Sequence, residues 1–288
     1  MDVNEKLEMC YQDIRRRTDF RPRLALVLGS GLGDFAETIR VQDTVAYKDI
    51  KGFPVSTVAG HKGRFVFGYV EDVPVVIMQG RVHYYEGYDM TDVVLPIRLM
   101  YRMGARTLIL TNAAGGIDPA LRPGDLMLIT DQISSFVPSP LRGTNLDDLG
   151  CRFPDMSGIY DKELGQTLAD TAKQLDIPLK RGTYVQMSGP NYESPAEVRM
   201  CAILGGSAVG MSTACEAVAA NHMRMRICGI SCVSNMASGI SENPLTHEEV
   251  QAMADQAAPR FKALLYKGIA AIGALESFKA LYPGSDGR

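Results

Sequence analysis

The 288-residue chain is predicted to form one α/β domain in which a central mixed, twisted β-sheet is flanked by helices. Apolar segments of strand length alternate with amphipathic segments of helical length, which is the pattern that α/β folds produce. Several strand segments are apolar without interruption, as expected for strands that are buried on both faces of a sheet. Because no linker, repeat or low-complexity segment interrupts this alternation, we expect residues 1–288 to form a single domain.

Eight strands are predicted, and one adjacent pair of them makes the sheet mixed. The apolar segments on either side of Glu71–Pro74 are expected to pair as an antiparallel hairpin. Elsewhere the order of elements is βα-like, which is typical of parallel pairing. In chain order the predicted strands are Leu24–Leu28, Arg64–Tyr69, Val75–Gln79, Thr107–Thr111, Leu126–Thr130, Gly182–Met187, Ala208–Met211 and Ile227–Val233.

Six helices are predicted, and two of them have clear N-terminal signals. Ser194 can cap a helix that begins with Pro195, and Thr246 can form a capping box with Glu249. Residues 143–158 follow neither the helical nor the strand period, and an irregular stretch of this length usually has a function. The predicted helices are Met1–Arg17, Met90–Met103, Asp161–Leu175, Pro195–Leu204, Ala214–Met225 and His247–Leu281.

The composition argues against several classes of protein. A formal net charge of −3 gives no basic footprint for nucleic acid or for an anionic membrane. The six cysteines form no CxxC pair, so they are expected to be reduced thiols. No segment has the apolar core of a signal peptide or the ~18 consecutive apolar residues of a membrane span. We therefore expect a cytoplasmic protein with neither nucleic acid nor membrane as a partner.

The first predicted strand leads into a glycine-rich loop, Gly29-Ser30-Gly31-Leu32-Gly33. A dinucleotide-binding fingerprint needs glycine at its sixth position, where this chain has Asp34. The loop therefore argues against a nicotinamide cofactor. Its backbone N–H groups and the Ser30 hydroxyl can still hold a small anion, although a simple tight turn is the alternative.

Three further glycine-bearing segments lie next to predicted strands. One contains His61, the second contains Arg81 and His83, and the third is Thr111–Gly116. Ligands of open α/β sheets bind beyond the carboxyl ends of the strands, and an arginine fork matches the edge of a phosphate. These segments and Ser30 together predict one pocket for a phosphate-sized dianion. The histidines lack the spacing of a metal site, and Gly-Ser-Gly is not the five-residue elbow of a serine hydrolase.

Three later turns carry groups suited to a base or to an anion. The first holds Tyr192 and Glu193, the second holds Met211 and Ser212, and the third holds Asn235. Each has a structural alternative, since a carboxylate before a helix can simply stabilise the helix N-terminus. Together they predict a site that recognises a base next to the phosphate pocket.

Taken in order, seven motifs between about Leu24 and Val250 resemble those of the trimeric purine nucleoside phosphorylases that act on inosine and guanosine. They cover nearly the whole chain, and their order makes the resemblance specific. The motifs are Gly29-Ser30-Gly31-Leu32-Gly33, Gly60-His61-x-Gly63, Arg81-x-His83-x-Tyr85-Glu86-Gly87, Thr111-Asn112-Ala113-Ala114-Gly115-Gly116, Gly189-Pro190-x-x-Glu193, Val209-Gly210-Met211-Ser212 and Ser234-Asn235.

The resemblance implies reversible phosphorolysis of 6-oxopurine nucleosides in purine salvage, with inorganic phosphate as co-substrate and neither cofactor nor metal. It implies Asn235, Glu193 and His83 as catalytic residues. It assigns phosphate to Ser30, His61, Arg81, His83, the Ala113 backbone N–H and Ser212. It assigns ribose to Tyr85, Met211 and His247, and the purine to Glu193, Asn235, Tyr192 and Met211. It also implies a homotrimer in which Phe153 completes the site of the neighbouring subunit.

Two other functions fit parts of the same pattern. A 5′-methylthioadenosine phosphorylase would share the fold and the phosphate chemistry. Asn235 without a neighbouring aspartate favours 6-oxopurines instead, and His247 suits a hydroxyl better than a thioether. A noncatalytic nucleoside-binding protein is the alternative from another class, and the presence of Arg81, His83, Glu193 and Asn235 together argues against it.

Overall fold

The computed structural model describes residues 2–58, 62–240 and 247–283, with the side chains of residues 247–250 left out. In these ranges nine strands form one mixed sheet. The strands are β1 (Leu24–Val27), β2 (Arg40–Ala46), β3 (Arg64–Val70), β4 (Val73–Gln79), β5 (Thr107–Gly116), β6 (Leu126–Ile133), β7 (Leu179–Gln186), β8 (Ala208–Gly210) and β9 (Arg226–Met236).

Helices cover both faces of the sheet, which confirms the predicted α/β class. Among the described residues no helix is both long and apolar enough to cross a membrane. The α-helices are α1 (Val3–Arg15), α2 (Met90–Val93), α3 (Leu95–Met103), α4 (Lys162–Gln174), α5 (Pro195–Ile203), α6 (Ala214–His222), α7 (His247–Ala274) and α8 (Glu276–Lys279).

Strand β5 holds the two halves of the sheet together. Its first half pairs in parallel with β1, which in turn pairs in parallel with β4. Its other side pairs in parallel with β9 along its whole length, and its last two residues pair with β8. On the far side of the ring, β9 pairs with β6, β6 pairs with β7, and β7 pairs with β8. These four strands and β5 therefore form a closed ring.

The core lies on both sides of this sheet, as the continuous apolar strands predict. In β1, Ala25 and Val27 pack in a cluster with residues of α1, α3 and α6. The alternate residues Leu24 and Leu26 pack on the opposite face with residues of α4 and α7. All four side chains are fully buried, so β1 lies in the interior and presents its carboxyl end to one edge of the sheet.

Several strand predictions need correction. Strand β2 was not predicted, because four of its first five residues are polar and most of them are exposed, and antiparallel pairing with β3 holds it in place. The hairpin of β3 and β4 is confirmed, but Val73 and Pro74 belong to β4, which leaves only Glu71 and Asp72 as the turn. Strands β5, β6 and β9 run beyond their predicted ends at Thr111, Thr130 and Val233.

Two helix predictions are also wrong in extent. The single helix expected over Met90–Met103 is interrupted at Val94, because Pro96 stands in the first turn of α3 and has no N–H to continue the ladder. The last helix ends at Ala274, since Leu275 is extended and caps α8. The Ser194 cap is confirmed with its partner Glu197. The predicted cap at Thr246 lies outside the described residues.

Candidate active site

One cavity of about 360 Å³ lies at the carboxyl ends of β1, β4, β5, β8 and β9. It brings together most of the residues that the sequence predicts for a phosphate, a sugar and a base. Its lining includes Ser30, Arg81, His83, Tyr85, Ala113, Tyr192, Glu193, Met211, Ser212 and Asn235. The polar groups predicted from separate motifs therefore share one cavity.

Parallel pairing explains why residues so far apart in the chain meet here. Because β4, β1, β5 and β9 run in the same direction, their carboxyl ends lie at one edge of the sheet. The register between β5 and β9 shifts so that Ala114 faces Val233 and Gly115 faces Asn235. Ser234 is thus an extra residue in β9, and a bulge of this kind re-aims the neighbouring side chains.

The glycine-rich loop lies close against β5. A Cβ atom on Gly29 would lie 2.6 Å from the Asn112 Cα, so only glycine permits this approach. The Gly29 N–H donates to Thr111 Oγ1 at 2.9 Å. Asp34, which argued against a dinucleotide, binds the Lys262 Nζ of α7 at 2.7 Å and does not line the cavity.

Arg81 is a buried cation in the lining of the cavity. Its side chain is 3% exposed, and its Nε lies 3.0 and 3.1 Å from the two carboxylate oxygens of Glu216, which is 1% exposed. Its Nη1 donates to the Thr111 carbonyl at 2.9 Å. A guanidinium held on two sides in this way presents a fixed direction of positive charge to the cavity.

His83 is held next to Arg81 by Glu86. The Glu86 Oε1 lies 2.7 Å from the His83 backbone N and 3.1 Å from its Nδ1, while Oε2 accepts from the Thr57 hydroxyl at 2.7 Å. Burial alone would raise the pKa of Glu86, but the hydrogen bonds from His83 and Thr57 lower it to about 2. Burial lowers the pKa of His83 below 6.5, while the hydrogen bond to Glu86 acts in the opposite direction.

Ser212 lies in the turn between β8 and α6. Its hydroxyl is 3.0 Å from Thr213 Oγ1, and that oxygen also accepts from the Asn112 Nδ2 at 3.0 Å. The sequence had predicted no role in the site for Asn112, Thr213, Glu216 or Glu86. Two of them carry a detectable signal, because Thr213 and Glu216 have the T-x-x-E spacing of a capping box.

Glu193 and Asn235 line the same cavity. Glu193 is 7% exposed, burial raises its pKa, and its Oε1 has no hydrogen-bond partner within the described ranges. The Ser234 hydroxyl donates to Asn235 Oδ1 at 2.7 Å, and Asn235 Nδ2 donates to the Met236 carbonyl at 3.0 Å. The rings of His83 and Tyr85, which also line the cavity, stack 4.7 Å apart.

Three predicted site residues are not placed in this cavity. His61 lies outside the described residues, and His247 is the first residue of α7, with its side chain outside the description. Phe153 is 87% exposed and lines a separate surface groove with Met156 and Val218. Its segment, residues 143–158, has neither helix nor strand, as predicted.

Comparison with known proteins gives a consistent result. The family model of the phosphorylase superfamily matches residues 23–270. The chain is 46% identical over 263 residues to the purine nucleoside phosphorylase 1 of Bacillus subtilis (strain 168), which covers 91% of this chain and 97% of that protein. It is 41% identical over 279 residues to the purine nucleoside phosphorylase of Bos taurus, which covers 91% of this chain and 96% of that protein.

A solved structure shows the same architecture. The purine nucleoside phosphorylase of Schistosoma mansoni in complex with adenosine superposes with a TM-score of 0.87 and 35% identity, covering 92% of this chain and 96% of that one. The chain therefore belongs to the phosphorylase superfamily and, within it, to the purine nucleoside phosphorylase family. This confirms that the chain is a purine nucleoside phosphorylase by family and enzyme class, as the seven motifs indicate.

The arrangement around His83 predicts its titration. We expect the pKa of His83 to lie below 6.5, and we expect Glu86→Gln to lower it further, because the lost carboxylate favours the imidazolium. The measurement is an NMR titration of the histidine ring protons, with the His83 signal assigned by its absence in His83→Gln. Glu71→Gln removes an exposed carboxylate and should leave the value unchanged. A higher or unchanged pKa in Glu86→Gln would contradict the assignment.

Proposed function

We propose that this chain catalyses the reversible phosphorolysis of 6-oxopurine ribonucleosides and deoxyribonucleosides, such as inosine and guanosine. The products are the free base and (deoxy)ribose 1-phosphate, and the role is purine salvage in the cytoplasm. One observation carries the proposal: Arg81, Ser212 and His83, which suit an anion, line the same cavity as Glu193 and Asn235, which suit a base. Family membership supports the reaction class.

The set of Arg81, Ser212 and His83 suits inorganic phosphate as co-substrate. Arg81 supplies a buried cation, and Ser30 and Ser212 supply hydroxyl groups on neighbouring turns. Ala113 lines the same cavity, as do the stacked rings of His83 and Tyr85. We assign the phosphate to these groups, with His61 as a further ligand, and the ribose to Tyr85, Met211 and His247. No metal or organic cofactor enters the proposed reaction.

The proposed chemistry needs no protein nucleophile, because bound phosphate attacks C1′ of the sugar. As the glycosidic bond loosens, the ribose becomes oxocarbenium-like and negative charge moves into the purine. Catalysis then depends on positioning the two reactants and on stabilising this developing charge. Asn235 is the group that we assign to N7 of the leaving base, where its amide N–H donates as the base becomes anionic. Ser234, which donates to the amide oxygen, fixes the side of the amide that faces the base.

Glu193 is the group that we assign to the choice of base. An ionised carboxylate accepts the N1–H of hypoxanthine or guanine, whereas N1 of adenine is itself an acceptor and is repelled. Burying mismatched acceptors gives strong discrimination between near-isosteres. Burial raises the pKa of Glu193, so its protonated form accumulates at a higher pH than that of an exposed glutamate. Protonated Glu193 can donate to N1 of adenine, and selectivity therefore depends on pH.

The test measures kcat/KM for phosphate-dependent release of base from inosine and from adenosine. Kinetics are needed because a relative was solved with adenosine bound. We expect inosine to be preferred and the preference to fall as pH drops through the raised pKa of Glu193. In Glu193→Gln, kcat/KM for inosine should fall about 10- to 100-fold, the cost of a charged hydrogen bond, and the pH dependence of selectivity should disappear.

Glu276→Gln is the matched control, since Glu276 is 89% exposed and lies in α8 away from the cavity. It should retain the rate and selectivity of the unaltered chain. Preferential cleavage of 5′-methylthioadenosine would contradict the proposed substrate. Binding of inosine without release of hypoxanthine would indicate a noncatalytic nucleoside-binding protein.

We also propose that the chain acts as a homotrimer in which Phe153 covers the sugar of a neighbouring site. The resemblance to trimeric phosphorylases supports this assembly. Phe153 is 87% exposed on an irregular segment, and insertion into a neighbour's cavity would stabilise the assembly by burying its ring. The exposed Tyr192 at the rim of the cavity offers an aromatic surface for the contact.

Mixed assemblies test this contribution. Phe153→Ala subunits and Glu193→Ala subunits should each have low activity alone. When they are mixed under conditions of subunit exchange, some sites combine an intact Glu193 with an intact Phe153 from the neighbour, so activity should recover in part. The same mixture without exchange is the control. Absence of recovery in verified mixed assemblies would mean that Phe153 does not act across the interface.

A further inference from the structure

The turn that carries Ser212 has an unusual backbone. The Ala214 N–H donates to the Ser212 carbonyl at 2.9 Å, and the intervening Thr213 has φ 78° and ψ −57°. These values define the γ-turn with positive φ, which is rare and strained, and a β-branched residue is a poor fit for it. Strained residues of this kind persist where the surroundings over-determine them, and they cluster at ligand clamps.

Side chains from two other elements hold this γ-turn. The Thr213 N–H donates to Glu216 Oε2 at 3.1 Å, and the Asn112 Nδ2 donates to Thr213 Oγ1 at 3.0 Å. The Ser212 hydroxyl lies 3.0 Å from the same Thr213 oxygen. Thr213 is fully buried, so these contacts are protected from water. The direction of the Ser212 hydroxyl is therefore coupled to the carboxylate of Glu216 and to the amide of Asn112.

The same Glu216 carboxylate also fixes Arg81. Its two oxygens lie 3.0 and 3.1 Å from the Arg81 Nε, and the two side chains are 1% and 3% exposed. In this dry environment the pair cannot exchange partners with water, and removing one member leaves an uncompensated charge. The Glu216 carboxylate therefore connects the Arg81 guanidinium to the turn that carries the Ser212 hydroxyl. Arg81 and Glu216 are 135 residues apart in the chain.

We propose that Glu216 is a positioning residue for phosphate, which locks Arg81 and the γ-turn of Ser212 into one preset cradle. Glu216 does not line the cavity, and it acts only through these two groups. A preset cradle avoids the cost of ordering its donors when the anion binds, and it keeps them aimed while negative charge moves during the reaction. This inference rests on the proposed phosphorolysis, because it needs phosphate as the ligand of the cradle.

The prediction for Glu216→Gln is a selective loss of phosphate affinity. Glutamine has no charge to compensate Arg81, and in place of one carboxylate oxygen it puts an NH₂ group, a second donor, next to the Arg81 Nε–H. We expect KM for phosphate to rise at least about tenfold, as for the loss of one charge-assisted hydrogen bond. The KM for inosine should change by less than about threefold, because Asn235 is held by Ser234 and Met236 and neither Asn235 nor Glu193 hydrogen-bonds to Glu216 among the described residues. Phosphate should also raise the melting temperature less than it does in the unaltered chain.

Asp161→Asn is the matched control. It removes a carboxylate from the ion pair with Arg226, whose Nε lies 2.6 Å from Asp161 Oδ2 at the opposite end of β9. It should lower the melting temperature without changing either KM. If Glu216→Gln does not fold, Glu216→Asp replaces it, because the shorter side chain keeps the charge but cannot reach both partners. The same selective rise in KM for phosphate is expected.

A double-variant cycle tests whether the cradle acts as one unit. Ser212→Ala should raise KM for phosphate in the unaltered background and have a clearly smaller effect in the Glu216→Gln background. Additive effects, or equal changes in both KM values, would overturn the inference and make Glu216 a purely structural residue. If the unaltered chain releases no hypoxanthine in the presence of phosphate, the proposed function fails instead. The two failures are therefore distinguishable.

Discussion

The parallel pairing of β5 with β1 on one side and β9 on the other determines where the functional groups of this chain lie. It places the carboxyl ends of these strands side by side, so the glycine-rich loop, Ala113 and Asn235 open into one cavity. The pairing extends to Gly116, where β5 also meets β8 and closes a ring of five strands. Ser212 follows β8 and is thereby fixed to the same edge.

Burial of charge follows from this arrangement. Burial behind the cavity shields Arg81, Glu216, His83 and Glu86 from water, which strengthens each electrostatic contact and makes each unpaired charge costly. The chain meets this cost with carboxylates behind the residues that line the cavity: Glu216 behind Arg81, and Glu86 behind His83. Glu193 differs from them, since the described residues offer its Oε1 no partner. A buried acceptor of this kind suits a donor on the ligand, which is why we assign it to the purine.

Much of this arrangement could be predicted from the sequence, because it depends on local patterns. Continuous apolar segments predicted the buried strands, and polar residues after them predicted the cavity. The continuation of β5 from Asn112 to Gly116 could not be predicted, since these residues have low strand propensity and are held extended by pairing with β9 and, at Gly115 and Gly116, with β8. The contact between Arg81 and Glu216 could not be predicted either, because it joins segments that are far apart in the chain. The polar strand β2 was missed for the same reason, as it depends on β3.

We propose that one cavity binds phosphate and a 6-oxopurine at opposite ends. The most direct measurement is a crystal structure of the protein with hypoxanthine and ribose 1-phosphate. We expect the phosphoryl group to lie within hydrogen-bond distance of Arg81 and Ser212, and the N1–H of the base to donate to Glu193. Phosphate bound away from Arg81, or a base that contacts neither Glu193 nor Asn235, would contradict it.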